Sequence, residues 1–156
     1  MMEKGDKENK VLDRLRTLCS RREYCRSDIM KKAMTSLDGD KAAAEKIVET
    51  LVNEKFIDEL RYSSAFARDK SSLAGWGETK IRYMLSSRGV PREVICQALE
   101  EIDEGKASDR LEKLMTNKLK SLKDDPQCRL KMLRFALGRG YDYEIVSSLL
   151  DRMMRK

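Results

Sequence analysis

The sequence has no histidine, only two prolines and no long apolar run, and these absences exclude several kinds of site. Without histidine the chain cannot form Ser-His or Cys-His nucleophile pairs, histidine metal ligands or the usual proton shuttle. The four cysteines, Cys19, Cys25, Cys96 and Cys128, lack the close pairing of a structural zinc site. No apolar run approaches the ~20 residues of a membrane-spanning helix. We therefore expect no enzyme, no metal or other cofactor, and no membrane partner.

What remains has the composition of a helical protein. Of the 156 residues, 40% are hydrophobic, 38% are charged and eight are glycine. Apolar residues recur at helical spacing, and no stretch alternates as a strand does. We see no secretory signal, so we expect reduced cysteines and a cytoplasmic location. The formal net charge is +6, and residues 104–156 hold thirteen basic against eight acidic groups. This excess is compatible with a polyanionic partner but does not establish one.

The chain repeats itself at an interval of 51 residues. Six apolar or aromatic positions within 90–102 recur within 141–153, with the spacing of one helix face. The same shift carries Gly89 onto Gly140, each directly after a helical pattern. Glycine supplies the left-handed backbone conformation that ends a helix, so both glycines are predicted to be helix terminators.

A third, less regular copy lies towards the N-terminus. Apolar residues of 47–52 stand 47 positions before those of 94–99, so the connection 36–42 is expected to be several residues longer than its counterpart around Gly89. A further amphipathic segment precedes each copy, which gives nine helices in three sets of three. Stacked repeats of this kind form an elongated, curved all-α molecule that suits a long partner. The predicted organisation is a disordered tail at 1–9 and three-helix repeats at 10–55, 56–103 and 104–156.

One segment, residues 56–91, carries a characteristic series of motifs. They are an apolar-Asp-acidic start at Ile57-Asp58-Glu59, an aromatic-Ala pair at Phe66-Ala67, a break at Gly75-Trp76-Gly77, and a helix with Ile81 and Leu85 that ends in Gly89-Val90. The series resembles the RecX family of bacterial recombination regulators, and the likeness spans roughly residues 10 to 153. The chain departs from the family pattern at three positions. Cys25 replaces a helix-capping Ser or Thr, Ala33 a larger aliphatic residue, and Ala74 a basic residue.

The resemblance implies an all-helical protein of three-helix repeats that binds the RecA filament on single-stranded DNA. It also implies that the protein lowers ATP hydrolysis and strand exchange by RecA and limits its coprotease role in the SOS response to DNA damage. On this basis we expect a monomer that reaches single-stranded DNA through the filament.

Trp76, the only tryptophan, has two open interpretations. Its indole could fill the space between two helices, with Gly75 and Gly77 letting the backbone turn beneath it. Alternatively, it could present a flat face to RecA or to an unstacked base, flanked by basic residues such as Lys70 and Lys80.

Basic residues around Trp76, and those that recur under the 51-residue shift, are candidates for partner contact. Lys80 recurs as Lys131, and Arg88 as Arg139. A charged residue on a helix is usually a solvated surface group, and an arginine near a helix C-terminus also favours the helix dipole. Repeated basic groups on one face would instead match the regular anions of a filament. The predicted partner-binding residues are Arg61, Arg68, Lys70, Trp76, Lys80, Arg82, Arg88, Lys131 and Arg139.

Two other classes of function stay open. Three-helix units can place a helix in the major groove, so a stand-alone DNA-binding module is the alternative to a filament regulator. The basic residues between Arg110 and Lys123 are the best candidates for nonspecific contact with nucleic acid. A scaffold for some helical partner would associate with neither DNA nor RecA.

Overall fold

The structure, a computed structural model, describes residues 4–155, which form nine α-helices and no strand. The all-α prediction and its helix count are confirmed for this range. The helices are α1 (Lys4–Arg21), α2 (Arg26–Ser36), α3 (Lys41–Asn53), α4 (Glu59–Ser72), α5 (Glu78–Ser87), α6 (Arg92–Leu99), α7 (Glu104–Ser121), α8 (Cys128–Gly138) and α9 (Tyr143–Met154).

Aspartates begin several of the helices by accepting hydrogen bonds from their first-turn N–H groups. Asp40 caps α3, Asp103 caps α7 and Asp142 caps α9. At the other end of α5 and α8, Gly89 has a φ of +79° and Gly140 a φ of +93°. The two predicted glycine terminators are therefore confirmed as left-handed residues.

The predicted disordered tail at 1–9 is wrong for residues 4–9, which lie in α1. Lysine and glutamate in this segment are good helix formers, so the helix continues upstream from its buried residue Val11. The ammonium of Lys7 also lies 2.7 Å from an Asp38 carboxylate oxygen beyond the end of α2. Residues 1–3 lie outside the described part of the chain.

The expected long connection between α2 and α3 is also wrong. Residues 37–40 link α2 to α3, and residues 88–91 link α5 to α6, so both connections have four residues. The start of α3 stands 51 positions before the start of α6. The interval of 51 residues therefore applies here too, and the apolar residues that seemed to be shifted by 47 lie one helical turn further along α3.

Contacts divide the chain into two compact units. The first comprises the residues up to Ala65 together with Leu85–Ile95, and α1, α2 and α3 enclose a core that includes Leu15, Ile29 and Leu51. The second comprises Phe66–Met84 and the residues from Cys96 onward. Its core lies among α7, α8 and α9, and the largest side chains buried there are Leu111, Met115, Met132 and Leu150. The division into repeats at 10–55, 56–103 and 104–156 stays a prediction.

Candidate partner-binding site

The Gly-Trp-Gly break is the connection between α4 and α5. The N–H of Trp76 donates to the carbonyl of Lys70, 2.9 Å away, so the indole folds back towards the last turn of α4. Gly75 has a φ of +68°, a left-handed backbone conformation in which a residue with a side chain would be strained. The half-buried indole meets the ring of Phe66 edge-on, with centroids 6.2 Å apart and an interplanar angle of 73°. This arrangement supports the packing interpretation of Trp76.

Two lysines lie over the same indole. The ammonium nitrogen of Lys80 lies 4.3 Å from the ring centroid of Trp76, and that of Lys70 lies 4.8 Å from it. Lys70 is also 5.6 Å from the centroid of Phe66. Neither lysine forms an ion pair with a carboxylate of the described chain. The indole ring thus holds two cations close to it. We call Phe66, Lys70, Trp76 and Lys80 the Trp76 cluster.

The glycine after Trp76 joins the start of α5 to the end of α8. The N–H of Gly77 donates to the carbonyl of Arg139 over 2.6 Å, and the N–H of Thr79 donates to that of Gly140 over 3.0 Å. A Cβ on Gly77 would lie 2.5 Å from the Gly140 carbonyl carbon and oxygen. Only glycine permits so close an approach of two backbones. The N–H groups at the start of α5 and the carbonyl groups at the end of α8, which have no partner within their own helices, form hydrogen bonds with one another there.

Side chains from the end of α8 reinforce this joint. A guanidinium nitrogen of Arg139 donates to the carbonyl of Ala74 over 3.0 Å, and the hydroxyl of Tyr141 donates to that of Gly75 over 3.1 Å. The guanidinium carbon of Arg139 also lies 5.1 Å from the ring centroid of Phe135. Arg139 therefore has a structural role in holding the break.

Arg88, the counterpart of Arg139, lies at a related joint in the first unit. Its carbonyl accepts a 2.8 Å hydrogen bond from Ser27 at the start of α2, and its guanidinium donates to the hydroxyl of Tyr62. In both joints, a residue near the start of an earlier helix donates to the arginine carbonyl. The recurrence of the glycine under the 51-residue shift is thus explained by helix-end structure, and each arginine side chain makes a different contact inside its own unit.

Other predicted residues contact acidic groups within their own unit. Arg61 pairs with Glu23, a contact that raises the pKa of Arg61. It also donates to the carbonyls of Lys55 and Phe56, 3.1 and 3.3 Å away. These partners hold the guanidinium in place through contacts inside the chain.

Two further predicted residues also have acidic partners. Arg82 pairs with Glu78 at 2.8 Å and lies 3.7 Å from the sulfur of Cys96. Lys131 pairs with Asp125 at 2.5 Å, and this contact lowers the pKa of the Asp125 carboxyl. The recurrence of Lys80 as Lys131 therefore does not mean equal surroundings.

Of the nine predicted residues, the structure brings Lys70, Trp76 and Lys80 into one cluster. Arg68, near the end of α4, is exposed, and its side chain makes no hydrogen bond or ion pair with the described residues. The sequence reasoning missed Phe66, whose ring completes the cluster. The signal was available, because Phe66 stands four positions before Lys70 on α4, a spacing that places both on one face.

A second aromatic ring with cations was also missed. The ammonium nitrogen of Lys118 lies 5.4 Å from the ring centroid of Phe135, and the guanidinium carbon of Arg139 lies 5.1 Å from the same centroid. Under the 51-residue shift Phe135 corresponds to Met84, another partly buried residue. The ring is half-buried and borders a groove with Lys131 and Arg134.

The described helices show no membrane or metal signature. Within residues 4–155, no helix is both long enough and apolar enough to cross a bilayer. The same residues contain no group of three or more Cys, Asp or Glu side chains that could hold a metal ion.

The middle of the chain matches a known family. Residues 58–99, which include the break, match the model of the second three-helix domain of RecX. Regulatory protein RecX of Pseudomonas entomophila is 33% identical over 135 residues, which cover 86% of this chain and 85% of that protein. The chain belongs to the RecX family. Regulatory protein RecX of Prosthecochloris aestuarii is 30% identical over 146 residues, which cover 93% of the chain and 94% of the relative. The resemblance inferred from the motifs is confirmed.

Length and fold also compare with known RecX proteins. The chain spans about half the length of the clostridial relatives that it matches, 54% in the case of Clostridium tetani at 29% identity. The crystal structure of RecX from Lactobacillus salivarius superposes with a TM-score of 0.83 at 18% identity and covers 96% of this chain and 97% of that one. Another RecX crystal structure also gives a TM-score of 0.83, at 21% identity over 94% of this chain and 73% of that one. The relatives are named as regulatory proteins rather than as enzymes.

Proposed function

We propose that the chain binds the RecA filament on single-stranded DNA and lowers ATP hydrolysis, strand exchange and coprotease activity. Its membership of a family of regulatory proteins supports this role, together with the RecA-directed function that the sequence resemblance implies. The observation that carries the proposal is the Trp76 cluster, where an indole holds two lysines that have no carboxylate partner among the described residues.

The Trp76 cluster suits contact with an anionic surface. Its two ammonium nitrogens lie within 4.8 Å of one ring centroid, so they are no more than about 9 Å apart. The hydrogen bonds of Gly77 and Thr79 fix the backbone at the start of α5. The side chains of Trp76 and Lys80 are therefore attached to a well-defined stretch of backbone. Two cations in a defined place lose less conformational freedom on binding than two mobile lysines would. Arg68 adds an exposed positive charge in the preceding helix.

The proposed mechanism is occupancy. A protein that spans neighbouring RecA subunits changes the rate at which they hydrolyse ATP or add to the filament end. It also blocks the path by which duplex DNA or a cleavage substrate enters. Several weak contacts give a useful combined affinity, because each later contact forms within the same complex.

Co-sedimentation with RecA filaments tests the binding step. Filaments are assembled on single-stranded DNA with a non-hydrolysable ATP analogue and pelleted with increasing amounts of the chain at several salt concentrations. We expect saturable pelleting that weakens as salt rises, because the cations of the Trp76 cluster are half-exposed. If no more of the chain pellets with filament than without it, the proposal fails.

Bare duplex and single-stranded DNA serve as the comparison. A stand-alone DNA-binding module would bind duplex tightly and with sequence preference in the absence of RecA. The proposed regulator binds the filament more tightly than either DNA at the same salt concentration.

A further inference from the structure

A groove in the second unit combines cationic and apolar side chains. It has a volume of about 270 Å³ and lies between the α4–α5 connection and α7. We call it the Arg110 groove, and the side chains that matter for its chemistry are Leu73, Arg110, Lys113, Leu114 and Arg139. Of these, Arg139 is a predicted partner-binding residue, and Arg110 and Lys113 belong to the basic segment considered for nonspecific contact with nucleic acid.

The cations of the groove form no ion pair with a carboxylate among the residues that the structure describes. Arg110 donates from one terminal nitrogen to the hydroxyl of Ser71 over 2.8 Å, while its Nε–H is buried and meets no acceptor within the described structure. Arg139 donates to a backbone carbonyl, and Lys113 is exposed. The neighbouring carboxylates of α7, Asp109 and Glu112, form no ion pair with these three residues. The buried Nε–H marks the Arg110 guanidinium as incompletely paired, and the terminal N–H groups of Arg110 together with the Lys113 ammonium are the donors that an incoming carboxylate would use.

The apolar part of the groove indicates what accompanies the carboxylate. Leu73 is 83% exposed, the highest value among the exposed large hydrophobic residues of the described chain. Gly75, near Leu73 in the chain, lets the backbone approach the side chains of Leu114 and Arg139 closely. A Cβ at this position would lie 3.2 Å from Leu114 and 3.4 Å from Arg139. Phosphate groups of a nucleic acid could also pair with the guanidinium, but the groove offers aliphatic Leu73 and Leu114 and no aromatic ring on which a base would stack. An acidic polypeptide with an apolar side chain satisfies both halves of the groove.

We infer that the Arg110 groove binds a segment of a protein partner in which an acidic residue stands beside leucine or another large apolar residue. The inference rests on the proposed function only in taking that partner to be a protein. A carboxylate lies against Arg110 and Lys113, and the adjacent apolar side chain packs on Leu73 and Leu114. This contact is separate from the Trp76 cluster, which offers two lysines on an indole and no exposed leucine.

Side-chain NMR of the full chain tests the inference directly. The ¹⁵N-labelled protein is titrated with a capped pentapeptide of alternating glutamate and leucine, and the Nε–H signal of Arg110 is followed. A peptide in which lysine replaces glutamate is the control ligand. We expect the signal to move saturably with the acidic peptide and to stay in place with the basic one.

Matched variants locate the binding. Lys113→Glu and Leu73→Ser change exposed side chains of the groove and are expected to fold normally. Each should weaken peptide binding about fivefold or more, as loss of a charge or apolar contact in an interface does. Lys120→Glu makes the same charge change on α7 outside the groove and should alter binding less than about twofold.

Three results overturn the inference. In the first, the Arg110 signal does not respond to millimolar acidic peptide. In the second, both groove variants bind the peptide as well as Lys120→Glu does. In the third, an oligothymidylate of equal charge moves the signal at a lower concentration than the peptide, which would assign the groove to nucleic acid. Filament co-sedimentation separates the two proposals. Filament binding without any peptide response refutes the groove alone, and a peptide response without filament binding refutes the RecA role alone.

Discussion

At the scale of single residues, the chain depends on glycine where two helix ends meet. Gly140 has a φ of +93°, and a Cβ there would lie 2.2 Å from the Cβ of Lys80 and 2.6 Å from its backbone nitrogen. Neither a side-chain rotation nor a small shift relieves both contacts, because one of them is with backbone. The residue that ends α8 thus also sets the position of α5.

Substitution of this glycine should be costly. We expect Gly140→Ala to lower the free energy of unfolding by about 2–4 kcal/mol, from left-handed strain together with the backbone clash. Gly138→Ala is the matched control, because Gly138 lies in α8 with no atom within 4 Å of its added Cβ. That change should be neutral or stabilise by up to about 1 kcal/mol. Urea denaturation measures the stability of both variants. Equal stability would contradict the requirement for glycine where the end of α8 meets the start of α5.

The lysines of the Trp76 cluster should matter for binding more than for folding. We expect Lys70→Gln combined with Lys80→Gln to weaken filament binding about tenfold and to lower stability by no more than about 1–2 kcal/mol, the worth of two exposed cation–π contacts. The pair Lys120→Gln and Lys123→Gln removes two exposed charges elsewhere in the second unit and is the control. Fluorescence anisotropy of labelled protein against filament gives the affinities. An equal loss of filament affinity in both double variants would contradict a specific role of the cluster, because it would show that only the overall positive charge matters.

Residue-level prediction from sequence succeeded where a residue type has one strong local meaning. Gly89 and Gly140 follow a helical pattern and could be assigned as terminators from that position alone. Arg88 and Arg139 could not be resolved in this way, because an arginine can pair with any acceptor that the fold brings near. Their hydrogen bonds to Tyr62 and to the Ala74 carbonyl join residues 26 and 65 positions apart. No local pattern in the sequence encodes those partners.

At the scale of helices, α2 shows how a missing cap is replaced. Cys25 occupies the position before α2 and makes no capping hydrogen bond with its side chain. The N–H of Arg26 instead donates to a carboxylate oxygen of Glu59, 2.8 Å away, at the start of α4. Glu59 thus supplies from another helix the acceptor that a serine or threonine would supply locally.

This substitute cap gives a stability prediction and a pH dependence. Glu59→Ala should cost about 1 kcal/mol, whereas Glu59→Gln keeps an acceptor and should cost less. Burial raises the pKa of Glu59, so the folded state binds its proton more tightly than the unfolded chain does. The free energy of unfolding should therefore receive a favourable contribution as pH falls through the raised pKa. This contribution should be absent from Glu59→Gln in urea denaturation at several pH values, and identical pH profiles would contradict it.

Helix periodicity identified the helices but misplaced one alignment by a turn. In α3 the buried residues include Ala43 and Ala44 as well as Ile47 and Val48, and Ala43 stands 51 positions before Val94. Because the helix period is 3.6 residues, a slip of four positions leaves the apolar face almost unchanged. The larger side chains at Ile47 and Val48 favoured the wrong register in the sequence comparison. Packing against α1 and α2 decides it in the fold.

At the scale of the whole molecule, the four cysteines report on different parts of the chain. Cys96 is exposed, whereas Cys19, Cys25 and Cys128 are buried. Burial also raises the pKa of the Cys19 and Cys25 thiols, which lowers their thiolate fraction at neutral pH. The folded protein should therefore react with a thiol reagent at one site, and mass spectrometry of peptides should assign it to Cys96. Rapid labelling of Cys25 or Cys128 without denaturant would contradict the described cores.

The fold class and the family followed from patterns distributed over the chain. Nine amphipathic segments, glycine terminators and the break around Trp76 each carry local information, and their order carries the family likeness. The site did not follow to the same degree. Lys70, Trp76 and Lys80 could be grouped from sequence because they are near neighbours, whereas the Arg110 groove needs α7 to pack beside the α4–α5 connection. Contacts between distant segments depend on packing that periodicity alone does not specify.

The proposed regulatory role can be measured through ATP hydrolysis by RecA. RecA on single-stranded DNA hydrolyses ATP at a steady rate, which is measured while the wild-type chain or the Lys70→Gln, Lys80→Gln double variant is added. We predict that the wild-type chain lowers the rate to a plateau and that the double variant needs about ten times more protein to do so. A rate that stays unchanged at wild-type concentrations that saturate the filament would contradict it.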